Sequence, residues 1–145
     1  MTIRQATVDE IIFIASQIPE FSNPYDKQEY DDRLKNKISL SLVCEIDNQL
    51  VGFKLGYQLS KQEFYSWFGG VLPKFRGMGV AKALADAQEI WVKNEGFTRI
   101  RLKTRNYLKP MLIFALSSGF YIHQIEKRPN IADHRIILIK DLHAK

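Results

Sequence analysis

The stretch GGVLPKFRGMGVAKAL, residues 69–84, decides the fold because it joins a strand to a helix through a turn that contains two glycines. A helix begins with unpaired backbone N–H groups and a partial positive charge. Gly77 and Gly79 let an anion approach those N–H groups without meeting a β-carbon. Three cationic side chains surround the turn: Lys74, Arg76 and Lys82. The stretch therefore predicts a phosphate or pyrophosphate site between a strand and a helix.

Two common phosphate-binding motifs do not fit this stretch. The P-loop requires a glycine, four residues and then Gly-Lys-Ser or Gly-Lys-Thr, a run that the sequence lacks. The dinucleotide fingerprint requires glycine or alanine three residues after Gly79, where Lys82 stands instead. From the residues alone, a tight turn without a ligand remains the alternative.

The hydrophobic pattern on both sides of this stretch predicts a mixed α/β domain with the element order β-α-α-β-β-β-α-β-α-β-β. Thr7 and Glu10 have the spacing of a capping box at the first helix. Asp47 and Asn48 mark a hairpin between two strands, and the second helix is expected to extend to Lys37. The helix after the turn is expected to bury one face: Val80, Leu84, Ala87 and Trp91.

Length and composition favour a cytoplasmic protein. We expect residues 1–145 to form a single domain, because 145 residues suit one hydrophobic core. No apolar run reaches the roughly 18 residues of a membrane helix, so no membrane partner is expected. Cys44 is the only cysteine, which suits a reducing compartment. No metal site is predicted, because the histidines are scattered: His123, His134 and His143.

Charge is unevenly distributed along the chain. The net charge is +5, yet residues 19–32 contain five acids and one lysine. This division suggests one anionic and one cationic partner, although an ordinary solvated surface would look similar. A nucleic-acid-binding module is disfavoured, because the basic residues after Gly96 alternate along one strand and form no stripe with interleaved aromatic side chains.

The motif RGMGVA, residues 76–81, resembles the acetyl-CoA motif of the GNAT family of N-acetyltransferases. That motif is Gln or Arg, two residues, Gly, one residue, and then Gly or Ala. The strand, proline, basic turn and helix of residues 69–84 follow the family's spacing, and NYLKPMLIFALSSGF, residues 106–120, is similar to its later motif. The resemblance spans nearly the whole chain. It implies the family's acyl-CoA N-acyltransferase fold, with acetyl-CoA as co-substrate.

The resemblance also implies which residues hold the cofactor. In the family, backbone N–H groups of the turn bind the pyrophosphate of CoA. Carried over, this role falls on what we call the glycine turn: Arg76, Gly77, Met78, Gly79, Val80 and Ala81. The pantetheine arm would pair with the backbone at Val71, where Gly69 and Gly70 permit a close approach. Asn106 would be a polar contact to the cofactor or, equally well, a capping or turn residue.

Direct acetyl transfer requires a base that deprotonates the amine and a donor for the oxyanion, which the Val71 backbone could supply. In several family members the base lies six residues before the valine, and here that residue is Tyr65. A tyrosine with an ordinary pKa near 10 would order a water or pack beside the substrate. Glu63, two residues away on the same strand face, is a better base by charge.

The chain departs from the family at the acid that protonates the leaving thiolate. The family's tyrosine lies five or six residues before the phenylalanine of Gly-Phe, where this sequence has Ala115 and Phe114. Neither side chain donates a proton, although water can. This departure keeps a second interpretation open, a non-catalytic or weakly catalytic acyl-CoA-binding protein on the same fold.

In the family, the acceptor side usually follows the first helix, which here is the acidic segment. Charge then predicts a cationic acceptor, such as a small amine, a polyamine, or a peptide or protein amine. Glu20 and Glu29 would attract it, and Tyr25 and Tyr30 would add apolar or cation–π contact. The closing strand RIILI, residues 135–139, could pair within the domain or across a homodimer.

Overall fold

The computed structural model describes residues 1–21 and 25–142. Its helices and strands follow the order β-α-α-β-β-β-α-β-α-β-β, so the predicted fold class is confirmed. The elements are β1 (Thr2–Gln5), α1 (Val8–Ala15), α2 (Lys27–Leu34), β2 (Ser39–Ile46), β3 (Gln49–Gln58), β4 (Glu63–Val71), α3 (Val80–Asn94), β5 (Arg99–Arg105), α4 (Lys109–Ser117), β6 (Tyr121–Glu126) and β7 (Arg135–Asp141).

Within the described residues, seven strands form a mixed sheet in the order β1-β2-β3-β4-β5-β7-β6. Strands β4 and β5 are parallel, with Glu63 opposite Arg99, and α3 lies between them in sequence as the crossover that a parallel pair requires. The chain divides into two compact units, residues 1–58 with 67–91 and residues 59–66 with 92–145. The expectation of a single domain stays a prediction.

Local signals in the first unit are formed as predicted. The Thr7 hydroxyl accepts a hydrogen bond from the Glu10 N–H, and the Glu10 carboxylate accepts one from the Thr7 N–H, which completes the capping box. Asp47 and Asn48 have left-handed φ angles of 50° and 64° in the turn between β2 and β3. A tight hairpin turn requires this conformation, and asparagine and aspartate tolerate it.

Helix α2 is shorter than expected. It ends at Leu34, and the prediction that it extends to Lys37 is wrong. The physical reason is the turn that follows: Lys35 leaves the helical region with a ψ of 128°, and Asn36 then adopts a left-handed φ of 59°.

The buried face of α3 differs from the predicted one. The buried positions repeat every four residues: Val80, Leu84, Gln88 and Val92. Ala87 and Trp91, which hydrophobicity favoured, are only half-buried. The amide nitrogen of Gln88 has no hydrogen-bond partner among the described residues. Because Gln88 is polar, the hydrophobic pattern of the sequence assigned Ala87 and Trp91 to the buried face instead of Gln88 and Val92.

The second unit has its own core. Helix α4 packs on β5 and β7 through a buried cluster: Leu102, Ala115, Ile136 and Leu138. Gly96 and Gly119 follow the ends of α3 and α4 with left-handed φ angles of 93° and 95°, a conformation typical of glycines that terminate helices. Strand β6, at the end of the strand order, is exposed along almost its whole length.

Candidate functional site

The glycine turn follows a single 3₁₀ turn at Pro73–Phe75, and its last two residues, Val80 and Ala81, are the first two residues of α3. Gly77 and Gly79 have φ angles of 77° and 83°, in the left-handed region that glycine adopts readily. No described atom lies within 4 Å of a β-carbon built on either residue. A ligand can therefore reach the backbone of this turn.

The start of α3 offers backbone donors beside the same turn. Ala83 N–H donates to the Gly79 carbonyl oxygen at 3.0 Å and closes the first turn of the helix. The N–H groups of Val80, Ala81 and Lys82 precede this bond, and N–H groups in the first turn have no partner within their helix. Because α3 has 15 residues, its dipole adds partial positive charge at this end. The arrangement suits an anion.

Arg76 does not extend freely from the turn. Its Nη1 and Nη2 donate to the two carboxylate oxygens of Glu20 at 2.7 and 3.0 Å. Its Nε donates to the Val71 carbonyl oxygen at 3.1 Å. The hydrogen bond with Arg76 lowers the pKa of the Glu20 carboxyl, and the same bond raises the pKa of the guanidinium. Arg76 thus joins the segment after α1 to the end of β4.

The end of β4 is closely packed. A β-carbon on Gly69 would lie 2.7 Å from the Phe53 carbonyl oxygen, and one on Gly70 would lie 2.6 Å from Cδ1 of Ile18. Packing within the first unit is therefore sufficient to require glycine at position 69, where the clash is with backbone, and it disfavours a larger residue at position 70, whatever ligand approaches the strand. Val71, the residue expected to contact pantetheine, follows directly and is half-buried.

The aromatic residues expected on the acceptor side form a cluster on the first unit. Tyr25 packs against Trp67 with the ring centroids 5.0 Å apart, and Tyr30 lies 5.5 Å from the same ring. Tyr30 is only 1 % exposed, and burial raises its pKa to about 12. Tyr25 is 37 % exposed, so its ring is accessible to a ligand. The Arg33 guanidinium carbon already lies 4.5 Å from the Trp67 ring centroid.

Most acids of the acidic segment have partners within the chain. Besides the Glu20 pair, Asp26 caps α2 by accepting from Glu29 N–H at 2.9 Å. The Glu29 carboxylate lies 3.6 Å from Arg33, and Asp32 accepts from Gln28 at 2.8 Å. The negative charge that the sequence shows is therefore partly neutralised in the fold.

The two candidate bases lie on the part of β4 that belongs to the second unit. Glu63 forms a 2.7 Å hydrogen bond with Nε of Arg101 and lies 3.8 Å from Arg99. This arrangement gives the carboxylate a structural role in joining β4 to β5. Tyr65 is half-buried and lies opposite Arg101 in the parallel register.

Asn106 fills the turn role that the sequence left open beside the cofactor role. Its side-chain amide donates to the Ile131 carbonyl oxygen at 3.1 Å, and its backbone N–H donates to the His134 carbonyl oxygen at 2.8 Å. On α4, Ala115 is buried in the core of the second unit, whereas Phe114 is half-buried. Of these two positions, only Phe114 lies partly outside the buried core.

The described part of the chain has no group of three or more metal-ligating side chains that could hold a metal ion. His143 lies outside the described residues. Among the described helices, none combines the length and apolar character that would let it cross a membrane. Cys44 is a buried free thiol, and burial raises its pKa.

Sequence reasoning missed two features of this region. One is the Glu20–Arg76 pair, whose partners are 56 residues apart, so no local pattern could indicate it. The other is Arg33, which occupies the face of Trp67. A cation one helical turn after Glu29 was the available signal, because residues four apart on a helix face each other.

Comparison with known families gives a direct match. A model described as the acetyltransferase (GNAT) family matches residues 11–120. The match contains the glycine turn, β4, α3 and α4, so it covers the motifs on which the sequence-based resemblance rests.

Solved structures share the fold over nearly the full chain. Ard1 from Thermoplasma volcanium is 21% identical, with 99% of this chain and 98% of that chain covered and a TM-score of 0.82. A GNAT family acetyltransferase from Elizabethkingia anophelis with acetyl-CoA bound is 18% identical, with 97% of each chain covered and a TM-score of 0.76. The aminoglycoside 6'-N-acetyltransferase from Enterococcus faecium is 14% identical, with 100% and 99% covered and a TM-score of 0.81.

Proposed function

Because the chain belongs to the GNAT family of acetyltransferases, we propose that it moves an acetyl group from acetyl-CoA directly to a primary amine of a cationic acceptor. Family membership makes the protein an N-acetyltransferase with acetyl-CoA as co-substrate; the acceptor class is our proposal. The observation that carries the proposed use of acetyl-CoA is the open glycine turn. Gly77 and Gly79 are left-handed, have no described atom within 4 Å of their β-carbon positions, and directly precede the donor groups of α3.

The cofactor would be held mainly by backbone. N–H groups of the glycine turn would bind the pyrophosphate, helped by the helix dipole and the nearby cations. The backbone at Val71 would receive the pantetheine arm in the manner of an added strand. Asn106 is kept as a polar cofactor contact in this proposal, although its amide also has the turn role described above.

The chemistry requires a neutral amine. The amine nitrogen attacks the thioester carbonyl carbon, the C–S bond breaks, and the amine proton must pass to a base or to water. We assign this proton to Glu63 or to a water ordered by Tyr65. The ion pair of Glu63 with Arg101 at 2.7 Å supports the second route, because that carboxylate already has a guanidinium donor.

A cationic acceptor is supported by the acidic segment and the aromatic cluster. Tyr25 offers an exposed ring, and the buried Tyr30 packs against that ring. Glu29 adds a carboxylate on the same unit. The similar enzyme from Enterococcus faecium is, by its name, an aminoglycoside N-acetyltransferase, and aminoglycosides are polyamines. The Glu20 carboxylate is already bound by Arg76.

Calorimetric titration with acetyl-CoA tests the cofactor site. The wild type should bind, and Gly79→Glu should lose binding because the new carboxylate fills the turn and repels pyrophosphate. Gly96→Glu is the matched control, since Gly96 is also left-handed with no described atom within 4 Å of its β-carbon position. It should bind as the wild type does. Absence of binding by the folded wild type would contradict the proposal.

The acceptor needs a separate assay. Thiol release from acetyl-CoA, measured with a panel of polyamines, aminoglycosides and peptide amines, should be fastest with a cationic amine. Replacing Glu29 by Gln should slow the reaction with that amine. An unchanged rate would remove the electrostatic argument for a cationic acceptor.

A second candidate function is favoured by Phe114 and Ala115, which stand where the family places its acid tyrosine. It is an acyl-CoA-binding protein with little or no catalysis. Acetyl-CoA binding without thiol release across the whole amine panel would support it over the first proposal.

Two further expectations accompany the proposal. The closing strand RIILI, residues 135–139, pairs within the chain on both sides, with β5 and with β6, so it does not pair across a homodimer. A homodimer is supported instead by exposed apolar residues of β6, at the end of the strand order: Tyr121, Ile122 and Ile125. Light scattering coupled to gel filtration tests it by measuring the mass in solution. A cytoplasmic location is supported by the single cysteine and is tested by cell fractionation.

A further inference from the structure

Three donors of the Arg76 side chain are engaged within the protein. Two bind the Glu20 carboxylate in the forked, two-bond geometry that a planar guanidinium favours. The third, Nε, binds the Val71 carbonyl oxygen. All three residues belong to the first unit, so one side chain connects the segment after α1, the end of β4 and the glycine turn.

If Glu20 acted only through its negative charge, it would oppose the binding of an anion at the glycine turn. The glycine turn is built to receive an anion, and Glu20 places a carboxylate against the first residue of that turn. An exposed ion pair adds little to stability by itself, and the Glu20 and Arg76 side chains are 58 % and 44 % exposed. Stability therefore does not account for a carboxylate at this place.

We propose that Glu20 is a positioning residue for acetyl-CoA binding, because through Arg76 it fixes the Val71 carbonyl and the start of the glycine turn in the shape that receives the cofactor. This inference rests on the proposed function. With the guanidinium bound to Glu20, the pyrophosphate would be bound mainly by the turn's backbone N–H groups. Arg76 then contributes mainly as a brace.

Two opposite outcomes separate positioning from simple charge. If Glu20 were only a nearby negative charge, Glu20→Gln would bind acetyl-CoA more tightly, because a repulsive carboxylate is removed. If Glu20 positions Arg76, the same variant binds acetyl-CoA more weakly, by about fivefold for a pair of this exposure. The sign of the change in Kd therefore decides the question.

The experiment is a set of acetyl-CoA titrations by calorimetry on the wild type, Glu20→Gln, Arg76→Lys and the double variant. Arg76→Lys keeps the charge but loses the fork and the Nε contact, so it should also weaken binding. In the double variant the Glu20 change should have little additional effect, because its partner is already altered. Asp9→Asn is the matched control, since Asp9 forms an exposed ion pair with Lys27 at 3.6 Å in the same unit. Its Kd should equal that of the wild type.

The results separate the two claims. Tighter or unchanged binding by Glu20→Gln, with a wild type that binds, overturns the positioning role and leaves the proposed function standing. Loss of affinity in Asp9→Asn equal to that in Glu20→Gln also overturns it, because any exposed ion pair would then behave alike. No binding by the folded wild type overturns the proposed function itself.

Discussion

Gly70 lies so close to Ile18 that a β-carbon on the glycine would stand 2.6 Å from Cδ1 of the isoleucine. At Gly69, the neighbouring residue of β4, a β-carbon would instead meet backbone, the Phe53 carbonyl oxygen at 2.7 Å. The end of an isoleucine side chain can rotate away, whereas a carbonyl within a strand is fixed by its hydrogen bonds. The two adjacent glycines are therefore required to different degrees.

The first prediction compares alanine at these two positions. Gly69→Ala should lower the free energy of unfolding by about 2 to 3 kcal/mol, because β3 must move, and Gly70→Ala by about 1 kcal/mol or less. Urea denaturation of both variants measures the difference. The reverse order would mean that β3 yields more easily than Ile18.

The second prediction separates strain from ligand binding in the glycine turn. Alanine at a left-handed position without a steric neighbour costs about 1 to 2 kcal/mol, so Gly79→Ala and Gly96→Ala should lose similar stability. Their φ angles are 83° and 93°, and neither β-carbon would have a described atom within 4 Å. Only Gly79→Ala should also weaken acetyl-CoA binding. Equal affinity in both variants would show that the turn does not contact the cofactor.

The third prediction concerns acid stability. Arg4 binds the carboxylates of Glu10 and Glu45 at 2.6 Å each, and its hydrogen bond lowers the pKa of Glu10 from 4.5 to about 2. A depressed folded-state pKa stabilises the fold fully above the unfolded value of 4.5 and progressively less as the pH falls toward 2.

Replacing Glu10 by Gln should remove that pH dependence. The stability advantage of the wild type over Glu10→Gln should therefore decrease as the pH falls from about 5 toward 2, as measured by urea unfolding at several pH values. Asp9→Asn, which changes an exposed carboxylate in the same helical turn, should keep the wild-type dependence. An advantage that persists undiminished at pH 3 would contradict the assignment.

Sequence alone predicted the parts of this fold that depend on local spacing. The capping box at Thr7 and the hairpin turn at Asp47 involve residues a few positions apart, so the interacting groups can be identified from the local sequence. The glycine turn was found for the same reason. The end of α2 was missed because the left-handed conformation of a single residue, Asn36, leaves no periodic pattern in the sequence.

The missed parts of the site depend on tertiary placement. Glu20 was expected to face an acceptor, yet it meets Arg76, 56 residues away. Tyr30 was expected to contact a ligand and is buried in the aromatic cluster. Charge and aromatic content can be counted along a sequence, but which groups neutralise or cover one another is decided by packing.

The fourth prediction concerns Lys54, a half-buried cation on β3. The Lys54 stem runs over Gly69, with Cγ 3.5 Å from that residue's β-carbon position, and burial lowers the pKa of Lys54 from 10.5 to about 8. The folded chain then binds fewer protons than the unfolded chain between these two values. Stability should therefore rise as the pH increases from about 8 to about 10.5.

Lys54→Met keeps the stem and removes the charge. It should raise the free energy of unfolding at pH 7 by roughly 1 to 2 kcal/mol, and the gain should disappear as the pH rises above 10.5, where Lys54 becomes neutral in the unfolded state as well. Lys61→Met, at an exposed position, is the control and should change little. Destabilisation by Lys54→Met at pH 7 would show that the ammonium group is satisfied in the fold.

The fifth prediction tests whether the missing acid limits catalysis. A tyrosine can be introduced at Phe114, which is half-buried and differs from tyrosine only by a hydroxyl. It cannot be introduced at Ala115, which is 1% exposed in a core with Leu102 and Leu138.

With the best amine of the acceptor panel, Phe114→Tyr should raise kcat about tenfold, a small part of what a well-placed proton donor contributes. The KM for acetyl-CoA should stay unchanged, since a donor to the leaving thiolate acts in the transition state. Phe114→Leu, which adds no hydroxyl, should not raise kcat. An unchanged kcat in Phe114→Tyr would mean that water already protonates the thiolate fast enough, or that another step limits turnover, and a burst-phase measurement of thiol release separates these two cases.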